Sequence, residues 1–272
     1  RPNIYALLVG SSGTSRKTSA LGIGQRHFVT FKNAKFPKKE DDDIPGPRGV
    51  DLLGSMCSAE AVVDDLGRND CVGFFSEFRQ TFGGGSKDYQ SKIVPLMTDL
   101  YDCPPEYRIS FKANKRGGRS CIRSIQDPVV SLISATSPEY FTLNGGDAAG
   151  GFLGRHLVFY SGGSGKIIPF PYAPGKDAIG KIDRALMAIS HLKGELNLSE
   201  EAKAVYDLNY RREHEAYLRL SSKCNALGSF HSRKGTFWFK IAALLQVSED
   251  RSLTVSVENM ERAIKLVDWC GS

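Results

Sequence analysis

The 272-residue chain has no pair of cysteines at C-x-x-C spacing, and its six thiols, at 57, 71, 103, 121, 224 and 270, lie far apart. That excludes a zinc site built from ligand pairs and a disulfide scaffold. Six reduced thiols in a cytoplasmic, intracellular protein are expected instead. Long apolar runs are missing too. The longest, residues 4–9 and 241–247, fall far short of the ~20 residues that a bilayer-spanning helix needs, so no membrane partner is expected. There is no secretory signal and no internal repeat. There is no initiator Met either; Arg1 stands directly before an apolar run, as expected of a domain excised from a longer protein.

What is present suits a globular chain. It has 41% hydrophobic and 24% charged residues and a mean hydropathy of −0.26, which excludes disordered and collagen-like chains. The length allows one large domain, or a core with a small appendage. A net charge of +6 permits a nucleic-acid partner without requiring one.

Residues 4–9 read as a buried parallel strand and 18–28 as a helix. Residues 32–50, with three prolines and Lys38-Lys39-Glu40-Asp41-Asp42-Asp43, read as a solvated loop. A short helix is expected at 58–66, capped by Ser58. Buried strands are expected at 71–75, 129–135 and 157–160, and a helix at 93–101. Two alternating runs, within 107–125, form a hairpin around Asn114-Lys115-Arg116-Gly117-Gly118-Arg119. Beyond a loop at 161–176 the pattern turns helical, with helices at 176–192, 199–220, 235–247 and 256–269. The fold class is α/β: a parallel-sheet core over 1–175, then an all-helical, lid-like region over 176–272.

The chemistry centres on Gly10-Ser11-Ser12-Gly13-Thr14-Ser15-Arg16-Lys17-Thr18, which follows a strand and opens a helix. A phosphate-binding loop needs that context: backbone N–H groups at a helix N-terminus cradle phosphates, a lysine pairs with the β and γ oxygens, and a hydroxyl takes Mg²⁺. Gly10, Gly13, Thr14, Ser15, Arg16, Lys17 and Thr18 are the expected nucleotide contacts, with ATP and Mg²⁺ as cofactors. Counted back from Lys17, Arg16 takes the place of the second glycine and Ser11 that of the first; counted from Gly10, the loop is one residue longer. An ordinary strand–turn–helix has the same outline.

Phosphoryl transfer to water also needs an acid that orients the water and a group beside the metal. The strand at 71–75 ends in Ser76-Glu77. Glu77 is the expected acid, and Ser76, where an Asp would be usual, the expected metal-side group. Thr136 or Ser137, ending the next core strand, would sense the γ-phosphate. Arg155, on the turn Gly150-Gly151-Phe152-Leu153-Gly154-Arg155, suits a finger reaching a neighbouring subunit's nucleotide, which implies a homo-oligomer. Arg233 and Lys234 are the cations of the helical region placed to reach the nucleotide. His27, His191 and His214 show no carboxylate or Cys partners, and Phe237, Trp238 and Phe239 are expected to pack the helical core.

These motifs occur in one order: Ser15-Arg16-Lys17-Thr18; Gly54-Ser55 with Glu60 before the Glu77 strand; Leu100-Tyr101-Asp102; Ala135-Thr136-Ser137-Pro138-Glu139; and Gly151-Phe152-Leu153-Gly154-Arg155. The set, with residues 237–246, resembles the phage- and plasmid-associated P-loop primase-helicases. The resemblance implies an additional-strand, AAA+-like P-loop NTPase core and ATP-driven DNA unwinding or remodelling in mobile-element replication. Ser76 and the Arg16-bearing loop depart from that pattern. Ring helicases of the superfamily 3 and minichromosome-maintenance type carry a DNA-channel hairpin at the position of 107–125. Lys115, Arg116 and Arg119 at its tip are the expected contacts to single-stranded DNA, independent of sequence. The rival expectation is a nucleotide-gated interaction module with little or no hydrolysis; a small-molecule kinase lacks its arginine-rich lid.

Overall fold

The computed structural model describes residues 2–13, 15–35, 49–54, 58–82, 92–111, 121–141, 151–162, 170, 175–220 and 225–271. Within them the apolar run near the N-terminus forms β1 (Tyr5–Gly10). This strand pairs in parallel on both sides, with β6 (Val130–Thr136) and with β7 (Leu157–Ser161). On the far side of β6 lie β3 (Asp70–Phe75) and then β2 (Val50–Leu52), again parallel. The order β2-β3-β6-β1-β7 gives a five-stranded parallel sheet, and so an α/β chain. No described helix is long and apolar enough to cross a membrane.

Three of these strands and β7 fall where the apolar runs put them; β2 does not. It has only Val50-Asp51-Leu52, too few residues for a period of two to show, and it exists because β3 offers it a partner. Part of the expected 32–50 loop is helical, since α1 (Lys17–Lys35) runs on past residue 28. Lys32 and Lys35 in its last turn suit the negative end of the helix dipole, and Lys32 is paired with Asp51 of β2. Residues 36–48 lie outside the described residues.

Two faces of the sheet are packed differently. On one, Tyr5, Phe75, Tyr101, Phe152 and His156 meet Phe78 and Phe82 of α3 (Phe78–Phe82) in a cluster of edge-on and tilted rings. The Tyr5 hydroxyl donates to the Met97 carbonyl of α4 (Ile93–Leu100) at 2.8 Å, which closes that layer. On the other face Phe28 of α1 meets Phe74. Helix α2 (Ala59–Leu66) buries Val62, Val63 and Leu66, and Ser58 caps it as expected, accepting from Ala61 N–H. Strands β4 (Glu106–Phe111) and β5 (Cys121–Gln126) form the expected antiparallel hairpin.

The helical region comprises α5 (Lys176–Ile189), α6 (Glu200–Leu220), α7 (Asn225–His231), α8 (Lys234–Glu249) and α9 (Val257–Cys270). A short parallel bridge between β8 (Asn197–Leu198) and β9 (Thr254–Val255), too small to read from sequence, ties α6 to α9. Phe237 and Trp238 are buried, whereas Phe239 faces outward. The region shares one core with the sheet through Tyr101 and Phe237, whose rings lie 6.2 Å apart. Gly154 makes the closest approach: a Cβ there would stand 2.1 Å from the Ser229 Oγ of α7. By contrast, α5 buries no residue fully. It and the turn after it meet α1 through polar pairs, His27 with Asp183 of α5 at 3.3 Å and Lys35 with His191 of the turn at 3.0 Å, so His27 has the carboxylate partner that its sequence context did not reveal.

His156 is fully buried among aromatic rings. Its Nδ1 lies 3.0 Å from the Phe152 carbonyl and its Nε2 has no partner. Burial pulls its pKa from 6.5 down to about 4, against the weaker upward pull of the Phe152 hydrogen bond. The unfolded chain therefore binds the extra proton between pH 6.5 and 4, and stability is lost as the pH falls through that window. Urea unfolding of the wild type should lose on the order of 3 kcal/mol there, and His156→Phe should remove that part of the slope. An unchanged slope in the variant would place the acid sensitivity elsewhere.

Candidate functional site

Parallel strands collect their carboxyl ends at one edge of a sheet, where open α/β folds bind ligands. Here that edge gathers most of the candidate residues. The Gly10–Lys17 loop leaves β1. Thr136 and Ser137 end β6, with Thr136 in register with Val9. Ser76 and Glu77 follow β3, where Phe75 pairs with Ser134. Neighbouring strands lie about 4.8 Å apart, so loop, hydroxyls and acid occupy three successive strand ends.

The loop is tightly built. A Cβ on Gly10 would stand 2.6 Å from the Cβ of Ser15. Ser15 donates to the Ser11 carbonyl from its hydroxyl at 2.8 Å and from its N–H at 3.4 Å. Gly13 has φ +80°, which a glycine adopts freely. Arg16, directly before the helix, has φ +51°, which for a residue with a side chain carries strain of about 1–2 kcal/mol. Counting back from Lys17, then, the left-handed position falls where the motif has its second glycine. Lys17 begins α1, and Ala20 N–H closes the first turn on the Arg16 carbonyl. There is no acidic side chain in that first turn, and Lys17 makes no ion pair with the described residues. Thr18 is exposed beside it. Thr14 lies outside the described residues.

Thr136 is buried, its hydroxyl 3.4 Å from the Ser137 carbonyl. One step down the same face, the buried Ser134 hydroxyl has no partner. Ser76 and Glu77 are exposed. Among the described residues no three His, Cys, Asp or Glu side chains cluster as a metal site. A divalent ion at this edge would take few protein ligands, from Thr18, Ser76 and Glu77, and the rest from a bound phosphate and water. That donor set fits Mg²⁺, which keeps waters and phosphate oxygens as ligands.

Arg155 lies at the other edge, roughly 17 Å away at about 3.3 Å per strand residue. It precedes β7 and points inward, its side chain only 11% exposed. Nη2 donates to Asp102 Oδ2 at 2.9 Å, Nη1 to the Gly151 carbonyl at 3.2 Å, and the guanidinium stacks near Tyr101. Arg233 is half-buried beside it and donates to the Ser229 carbonyl and hydroxyl. Lys234 is buried within the helical region, held by Glu213 at 3.0 Å and Asp268 at 2.9 Å. Neither cation is at the loop edge, so the expectation that they touch a nucleotide there is corrected: the helical region docks against the opposite edge.

That docking uses residues for which no role was expected. Lys240 donates to Asn3 Oδ1 at 2.6 Å and sits 3.8 Å from the centre of the Tyr101 ring. Burial pulls its pKa down to about 8. A charged residue amid Phe237-Trp238-Phe239 and Ile241-Ala242-Ala243 was the available signal. Asp102 appeared only as part of a motif.

The hairpin tip, including Lys115, Arg116 and Arg119, lies outside the described residues. In the stem, Arg108 pairs with Glu106 at 2.8 Å and Arg123 with Asp64 of α2. No protein-family model matches this chain, and neither does any curated protein.

Isothermal titration with ATP should detect binding that Lys17→Ala abolishes; equal affinity in both proteins would remove the phosphate-loop assignment. Arg16→Gly should relieve the left-handed strain, raise stability by up to about 1 kcal/mol and leave ATP binding in place. A loss of stability would mean that the Arg16 side chain outweighs its strain.

Proposed function

We propose that this chain is an Mg²⁺-dependent ATPase motor that acts on DNA, built on an AAA+-like P-loop core. The observation that carries this reading is electrostatic. Lys17 opens α1 at its positive end, where a cation is disfavoured unless an anion is bound, and the helix's first turn holds no acidic residue. Strand order supports it. In an additional-strand core one strand separates the phosphate-loop strand from the acid-bearing strand, and β6 lies between β1 and β3.

In this reading the loop amides and Lys17 hold the β- and γ-phosphates. Thr18, with Ser76 beside it, would hold a Mg²⁺, which would supply positive charge against that on those oxygens. Glu77 polarises and orients the attacking water. Thr136 or Ser137 reports the γ-phosphate to the sheet. Arg155 acts across a subunit boundary in a ring; to do so it exchanges the Asp102 carboxylate for a neighbour's phosphate. Lys115, Arg116 and Arg119 contact the phosphates of single-stranded DNA. The setting is the cytoplasm and the process mobile-element replication.

A second reading has one observation behind it. Ser76 supplies a neutral ligand where an Asp would give a charge, and a weaker metal site favours a nucleotide-gated interaction module that binds ATP but scarcely turns it over. Phosphate release, with and without single-stranded DNA, separates the two. A motor hydrolyses faster on DNA; a gated module stays slow in both.

Glu77→Gln keeps shape and hydrogen-bonding capacity but loses the charge. ATP binding should survive while turnover falls about a hundredfold or more. Equal turnover would place the acid elsewhere.

Replacing Lys115, Arg116 and Arg119 together with Ala should weaken DNA binding without changing sequence preference. Each lost phosphate contact should flatten log affinity against log salt by about 0.7 on single strands, roughly two units for three contacts. A parental affinity and slope would show that another element carries the DNA.

A further inference from the structure

Gly151, at φ +75°, lies just before the turn that carries Arg155 into β7. Three donor groups converge on the point where a Cβ at 151 would sit. Arg155 Nη1 is 3.2 Å from it, the Ser229 Oγ of α7 is 3.5 Å away and Arg233 Nη2 is 3.7 Å away. Two guanidinium groups and a hydroxyl are thus brought to one spot, and Gly151 has no side chain to compete for it. Arg155 belongs to the sheet; Ser229 and Arg233 belong to the helical region.

Like charges held side by side repel, and an anion shared between them removes that cost. The chain itself supplies one carboxylate. Asp102 accepts from Arg155 Nη2 at 2.9 Å. Arg233 forms no ion pair with a described residue; its Nη1 donates to the Ser229 carbonyl and hydroxyl. Burial first, and then the Arg155 charge, pull the Arg233 pKa below its ordinary value, and Asp102 offsets them only in part. Asp102 is the exposed member of the ion pair, its side chain 63% exposed against 11% for Arg155. Turning it out into water therefore costs little. Tyr101, beside the pair, is buried and its hydroxyl has no partner. Burial pushes that phenol up, and Arg233 exerts the largest opposing pull, so an unused donor lies in the field of Arg233.

We propose that Arg155 and Arg233 together bind a phosphate group at Gly151, and that Asp102 is the carboxylate which the phosphate displaces. A dianion matches two guanidinium groups, whereas a carboxylate monoanion does no more than Asp102 already does. A phosphate held there also ties the helical region to the sheet, because its ligands come from both. Two sources share that chemistry: a free phosphate or phosphate monoester, and the γ-phosphate of a nucleotide on a neighbouring subunit. Only the second source rests on the ATPase reading.

The test is isothermal titration with inorganic phosphate of the intact chain carrying Lys17→Ala, which removes the lysine of the loop at the other edge. Saturable binding is expected, with acetate weaker by about tenfold or more. Adding Arg233→Gln keeps an amide beside Ser229 but removes the charge, and should weaken phosphate by about tenfold or more. Adding Asp102→Asn instead removes the competing carboxylate and should tighten phosphate binding, a gain that a merely structural ion pair would not give. Melting temperatures are measured alongside; if Arg233→Gln does not fold, Asp102→Asn decides alone. With Lys17 intact, loss of phosphate binding on adding a non-hydrolysable ATP analogue, a loss that Lys17→Ala prevents, identifies a neighbour's nucleotide as the source. Phosphate binding that persists beside the analogue identifies free phosphate. No saturable binding, acetate as tight as phosphate, affinity unchanged by Arg233→Gln, or no gain in Asp102→Asn overturns the proposal. These four readouts need neither ATP nor a ring, so the proposal stands or falls separately from the ATPase reading.

Discussion

Everything in this molecule is referred to β1. It is hydrogen-bonded along both sides, to β6 and to β7, so its direction fixes which ends of its neighbours meet. Its alternation fixes the two faces: Tyr5, Leu7 and Val9 are buried in the aromatic layer, while the intervening residues face the α1 side. A one-residue slip would carry the buried set to the wrong face. The backbone that leaves one end becomes the glycine-bearing loop, and the residue ahead of the other end, Asn3, receives Lys240.

The two edges of the sheet handle positive charge in opposite ways. At the amino-terminal edge three described cations are answered within the chain: Arg155 by Asp102 and the Gly151 carbonyl, Lys240 by Asn3 and the Tyr101 ring, Arg233 by Ser229. Burial, with Arg155 close by, still holds the Arg233 pKa below its usual value. This edge is a joint, and its buried groups are committed to holding the helical region. At the carboxyl-terminal edge, Lys17 stands at a helix start with no acid in the first turn and Glu77 is exposed. An edge left in that condition is suited to an anion arriving from solution.

The sheet was legible because its strands are buried on both faces and so read as continuous apolar runs, as at residues 4–9 and 129–135. The cap at Ser58 was legible because a hydroxyl before an amphipathic run has one common use. Strands β2, β8 and β9 were not, since two or three residues carry no period and depend on a partner far away in the chain. The strand-end cluster could be named from sequence because each member directly follows a strand. The joint at the opposite edge could not. Asn3, Asp102, Arg155 and Lys240 are scattered along the chain, and only packing of the helical region on the sheet brings them together. The inward turn of Arg155 is likewise a tertiary fact, set by Asp102 and the left-handed Gly151 at φ +75°.

The contact between Gly154 and Ser229 has a bearing on how this chain can diverge. The space a Cβ at 154 would need is filled by the Ser229 side chain, and the Ser229 backbone carbon is only 2.9 Å away. Trimming Ser229 to a smaller residue would clear its hydroxyl but not its backbone. Related chains that keep this docking should therefore hold glycine at 154 whatever stands at 229. Chains that replace it should show a compensating insertion, deletion or helix shift around α7. Position 154 is thus a marker by which descendants that preserve the union of sheet and helices can be sorted from those that rebuilt it.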